Sequence, residues 1–69
     1  MKEYIYKVVI DEQVEKRTRS TVDIKGPLSL IKLVAFKEYQ SGNFKSFLAI
    51  KETYSNGELL DIEKWIVEK

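Results

Sequence analysis

The 69 residues make a single domain, 1–69, and a chain of this size buries only about 60% of its unfolded surface, so modest stability is expected. It contains no cysteine and no histidine, which excludes a disulfide framework, a thiolate metal site and the commonest acid–base group at neutral pH. With 43% apolar residues, 33% charged residues and a net charge of +1, the composition is that of an ordinary globular domain, without a strong pull toward nucleic acid or membrane.

The N-terminal stretch Met1-Lys2-Glu3-Tyr4-Ile5 shows no secretory apolar region followed by a small-residue cleavage site. The most apolar stretch, Leu28 to Phe36, is interrupted by Ser29 and Lys32 and is too short to span a bilayer. A soluble, cytoplasmic protein is the expectation.

In chain order, Tyr4, Tyr6, Val8 and Ile10 alternate with Ile5, Lys7, Val9 and Asp11. This period of two, rich in β-branched and aromatic residues, predicts a strand. Apolar groups on both faces place it inside a sheet. Asp11-Glu12-Gln13 is a polar break. A second extended segment is predicted over 15–25, with Thr18, Ser20, Val22 and Ile24 on one side and Arg17, Arg19, Thr21, Asp23 and Lys25 on the other. Its polarity marks an edge strand, since edge charges discourage unwanted pairing. The two segments form a first hairpin.

Gly26-Pro27 stops that strand, and proline is preset for a first helical turn. A helix is predicted over 28–40, burying Leu28, Leu30, Ile31, Val34, Ala35 and Tyr39 and exposing Ser29, Lys32, Lys37 and Gln40; Gly42 is placed to end it. A third strand through Ile31, Leu33 and Ala35 is the rival, disfavoured because Leu, Ala, Lys and Glu outnumber β-branched residues.

Residues 44–53 and 59–67 both alternate, and Asn56-Gly57 lies between them. A two-residue type I′ loop needs φ > 0 at both positions, and Asn-Gly meets that at least steric cost. A second hairpin is therefore predicted, with a helix over 43–55 as the rival. The two-residue loop sets Ser55 opposite Glu58, Tyr54 opposite Leu59 and Glu52 opposite Asp61. That last pair of like charges is unfavourable, so a longer loop or a bulge near 58–61 is the alternative register.

The fold class is α+β. The order hairpin, helix, hairpin (ββαββ, a four-stranded sheet with one helix on one face) resembles a β-grasp domain, similar in outline to ubiquitin-like domains and to the immunoglobulin-binding domains of bacterial surface proteins. The resemblance implies that the first and last strands lie side by side, in parallel, at the sheet centre. The chain ends Ile66-Val67-Glu68-Lys69, without the two glycines of a conjugation tail. A small five-stranded all-β barrel is the alternative fold.

Catalysis is not expected. Ser-His and Cys-His pairs, a glycine-rich phosphate loop and an EF-hand pattern are all missing, so no catalytic, cofactor or metal-ligating residue is assigned. Asp61 and Glu63 share one strand face and could hold a hard cation weakly, but an ordinary polar strand face is the favoured explanation.

Protein binding is the favoured function, through one of two surfaces. Leu33 and Phe36, ringed by Lys32 and Lys37, form an apolar patch on the helix side left to solvent. Ile5 and Val9 occupy the sheet face that a single helix leaves open, where a partner or a second copy (a homodimer) would cover them. In size and Lys/Glu/Ile-rich composition the chain looks like small accessory proteins of low-GC bacteria and their phages, such as inhibitors of host machinery. The alternative is a nucleic-acid-binding accessory that grips phosphates with Arg17, Arg19 and Lys25. Tyr4 and Tyr6 would stack bases if they faced solvent, or pack beneath the helix.

Overall fold

A computed structural model describes residues 1–10, 12–34 and 46–68, with the side chain of Leu33 also outside the description. Its elements are β1 (Lys2–Ile10), β2 (Gln13–Ser20), α1 (Pro27–Leu33), β3 (Ser46–Ser55) and β4 (Glu58–Glu68). The strands form one open antiparallel sheet in the order β2-β1-β3-β4.

Two features follow the local sequence closely. β1 is an inner strand, as its two apolar faces require, and β2 is the polar edge strand joined to it as a hairpin. Asn56 and Gly57 both have positive φ, 52° and 83°, and Ser55 pairs with Glu58 across them. This is the left-handed two-residue turn that Asn-Gly favours.

The β-grasp arrangement is not the one formed. β1 pairs with β3, antiparallel, and β4 lies at the far edge of the sheet. The resemblance implies a central place for the last strand, yet Leu59, Leu60, Ile62 and Ile66 of β4 are exposed. Nor do the described strands close into a five-stranded barrel. The second extended segment is also shorter than expected: β2 ends at Ser20, and residues 21–25 leave the sheet. Residues 46–55 are strand, which removes the rival helix over 43–55 in this part.

The β3–β4 register shifts between Thr53 and Tyr54. Tyr54 pairs with Leu59 but Thr53 pairs with Asp61, so Leu60 is the extra residue of a bulge. Glu52 thereby meets Ile62 instead of Asp61, and Lys51 meets Glu63. One inserted residue replaces a like-charge pair with an opposite-charge pair.

α1 begins at Pro27 after Gly26, whose φ of 83° suits glycine. The Leu30 amide donates to the Gly26 carbonyl and the Val34 amide to the Leu30 carbonyl. Leu30, Ile31 and Val34 are buried as the helical spacing predicts, but Leu28, placed on the same face, is 61% exposed. It stands in the first turn of a helix that is only seven residues long, beyond the packed end. The expected continuation through Ala35, Tyr39 and Gln40 lies outside the described residues.

The core joins Leu30, Ile31 and Val34 to Tyr6, Val8, Phe47 and Ala49, with Tyr4, Ile10, Ile24, Trp65 and Val67 packed at its margin. Helix and core thus occupy one face of the sheet. Tyr4 and Tyr6 are on this core face, their ring centroids 6.4 Å apart, so they are packing residues and not an exposed stacking platform. The Tyr6 hydroxyl donates to the Val22 carbonyl (3.1 Å) and accepts from the Ile24 amide (2.8 Å). That pair of bonds holds residues 21–25 over the sheet after they leave β2.

Candidate functional site

The alternation of the strands, together with the pairing registers, sets out the second face of the sheet row by row. One row reads Val14, Val9, Leu48, Ile66 from β2 across to β4. The next reads Arg17, Lys7, Ile50, Lys64, and the one after it Arg19, Ile5, Glu52, Ile62. Strand pairs in register bring these side chains within reach of their neighbours.

The first row is apolar across all four strands. Val9 and Leu48 are half-buried by their neighbours, while Val14 and Ile66, at the two edges, are exposed. The sequence produces this row in an indirect way. A bulge in the β1–β2 ladder between Val8 and Val9 makes Glu15 the extra residue and brings Val14, instead of Glu15, opposite Val9.

The charged groups of this face are partly paired. Lys7 Nζ lies 2.9 Å from a Glu52 carboxylate oxygen, both side chains mostly covered. Arg19 Nε lies 2.6 Å from a Glu3 oxygen, on the exposed margin. Among the described residues Arg17 and Lys64 form no ion pair, and both are exposed. At the Asn56-Gly57 end a half-open depression is lined by Met1, Glu3, Ile5, Arg19, Tyr54 and Asn56.

The other face carries a buried cation. Lys51 is 7% exposed and its ammonium bonds Asp23 and, at 3.3 Å, Glu63, while lying 4.9 Å from the centroid of the Tyr4 ring. Burial works against the charge of Lys51, but the hydrogen bonds that its ammonium donates to Asp23 and Glu63 outweigh it and raise the pKa above the ordinary lysine value. Tyr6 is also raised, chiefly by burial, against the lowering effect of its bond from Ile24. Glu63 is therefore engaged by Lys51 instead of pairing with Asp61 around a cation. Among the described residues no group of three acidic side chains is disposed to hold a metal.

The sequence-predicted residues divide among these surfaces. Ile5 and Val9 do share the second face, in rows separated by the Lys7 row. Arg17 and Arg19 lie on that same face. Lys25 does not: it stands beyond the end of β2, in the segment pinned to Tyr6 on the core face, so the expected three-residue basic strand is two residues long. Lys32 is exposed on α1. Phe36 and Lys37, and the side chain of Leu33, lie outside the described residues. Sequence reasoning missed Leu48 and Ile66 as companions of Val9, because their alignment depends on strand order. It missed Lys51 as well, which reads locally as one more surface lysine.

No family model matches the chain, and no curated protein or solved structure matches it either. Among the described residues no helix is long and apolar enough to cross a membrane.

Proposed function

We propose that this chain is a non-catalytic interaction module that binds a larger protein through the second face of its sheet. The observation that carries this reading is the unbroken apolar row Val14–Val9–Leu48–Ile66, spanning every strand on the face opposite the helix and core. Contiguous apolar surface rimmed by charge is the usual signature of a protein contact. A ββαββ order, a cytoplasmic location and an accessory role beside larger machinery belong to the same reading.

Self-association by sheet extension is the weaker form of it. The β4 edge carries Glu58, Asp61, Glu63 and Glu68 against Lys64 alone, so two β4 strands brought side by side would repel. The test is affinity capture from the source cell with the natural chain and with a V14D/I66D variant. Both positions are exposed, so the variant should fold. A captured protein that binds the natural chain when purified, and loses that binding with V14D/I66D, supports the proposal. Undiminished binding by the variant refutes it.

A nucleic-acid-binding accessory is the second reading, supported by Arg17 and Arg19 on one exposed face. It requires binding to mixed oligonucleotides that collapses with added salt and weakens in R17A/R19A.

A further inference from the structure

The second face has a polarity that specifies its partner. The apolar row and the row Arg17–Lys7–Ile50–Lys64 run side by side across the sheet, about 7 Å apart, two residues along each strand. Lys7 is already held by Glu52. Arg17 and Lys64 stand at opposite ends of their row, about 14 Å apart over three strand spacings, exposed and without an ion pair among the described residues.

We infer that this face takes an acidic amphipathic segment of a partner protein, its apolar stripe on Val14, Val9, Leu48 and Ile66 and its carboxylates toward Arg17 and Lys64. The inference rests on the reading of the second face as the contact surface and adds the chemistry of the occupant. A helix of about ten residues spans the width of four strands, and an apolar stripe flanked on one side by Asp or Glu matches the two rows together. Charge complementarity of this kind selects the partner and its orientation more than it adds affinity.

Two other occupants fit less well. Among the described residues paired across the strands of this face, a second copy brings two unpaired cations against one carboxylate without an ion pair, Glu68, because Glu3 and Glu52 already hold Arg19 and Lys7. A nucleic acid would satisfy Arg17 and Lys64 but leave the aliphatic row without a use, since phosphates and sugars offer it no apolar complement. The tyrosines of β1 lie on the other face.

The test uses the full chain and two synthetic helical peptides of one pattern, a leucine stripe flanked by glutamate and the same stripe flanked by lysine. Binding is followed by fluorescence anisotropy, and the contact is mapped by amide chemical shifts. The glutamate peptide should bind about tenfold more tightly than the lysine peptide, the scale of two surface ion pairs. It should shift Val9, Leu48 and Ile66, and R17E/K64E should reverse the preference. Equal binding of both peptides, or a preference that survives R17E/K64E, overturns the acidic inference; if I66D still abolishes that binding, the face remains the contact surface. Shifts confined to other surfaces, or no binding of either peptide, overturn both. Two further results also overturn it: oligonucleotide binding that falls in R17E/K64E but is indifferent to I66D, and a dimer that I66D dissociates in the absence of peptide binding.

Discussion

Lys51 stands directly opposite Glu63 in the β3–β4 ladder because Leu60 is looped out as a bulge three residues before Glu63. Without that extra residue the two-residue turn would set Glu52 against Asp61 on the opposite face. With it, a nearly buried ammonium gains one carboxylate from β4 and another from Asp23. The bulge is therefore tied to the electrostatics of the sheet.

This arrangement predicts an asymmetry between removing the cation and removing its partners. Lys51→Met keeps the volume and discards the charge, so stability should stay within about 1 kcal/mol of the natural chain. The double variant D23N/E63Q leaves the ammonium buried without an anion and should cost about 2 kcal/mol, less than a fully buried pair because both carboxylates reach solvent. Urea denaturation of the two variants measures the difference, and equal losses would remove the pairing argument.

Alkaline pH should weaken the fold, through two groups acting with one sign. Lys51 and Tyr6 both have folded pKa values above their ordinary ones, so the folded state holds these protons more tightly. Their contribution is complete below about pH 10, where the unfolded groups titrate, and is lost as pH rises through the folded values. Melting temperature recorded across pH 8 to 12 should fall above about pH 10, and the fall should be shallower in Lys51→Met.

Tyr6→Phe keeps the buried ring but leaves the Ile24 amide without its acceptor and removes one of the two donors to the Val22 carbonyl, the Ser20 hydroxyl being the other. A loss of about 1–2 kcal/mol is expected. Hydrogen exchange separates this from general loosening: the Ile24 amide should exchange faster than those of β1 and β3.

Backbone conformation predicts changes of opposite sign at two turns. Gly57 has φ 83°, and a Cβ there would meet nothing within 4 Å, so Gly57→Ala should cost about 1 kcal/mol through backbone strain alone. Glu12 carries φ 67°, a conformation asparagine tolerates better. Glu12→Asn should stabilise by about 0.5 kcal/mol. Chemical denaturation midpoints decide both.

The two helix leucines should differ sharply. Leu30 is 1% exposed within the core cluster and Leu28 is 61% exposed. Leu30→Ala should cost about 2–4 kcal/mol, and Leu28→Ala no more than about 0.5 kcal/mol. Similar losses at both would place Leu28 in the core, as its helical spacing alone suggests.

Much of the local structure was legible in the sequence. The inner strand at Tyr4–Ile10, its polar neighbour, the helix start at Pro27 and the hairpin at Asn56-Gly57 each rest on short-range rules: alternation, proline geometry, and the positive φ that Asn-Gly accepts. The candidate site was legible only in part. Ile5, Val9, Arg17 and Arg19 were placed on open or edge surface by alternation, but Lys25 was assigned to a strand that ends five residues earlier, where Tyr6 captures the backbone of residues 22–24.

By itself, then, the sequence determined the inner strand β1, the polar strand beside it up to Ser20, where one hairpin turns and which residues alternate within each strand, because these depend on neighbours along the chain. Only the tertiary structure decided that β1 lies between β2 and β3, that β4 takes the edge, and that two bulges bring Val14 beside Val9 and Lys51 beside Glu63. Those outcomes depend on hydrogen bonding and packing between strands far apart in sequence. A period of two is the same whichever strand lies alongside, so the apolar row and the buried lysine exist only once the sheet is assembled.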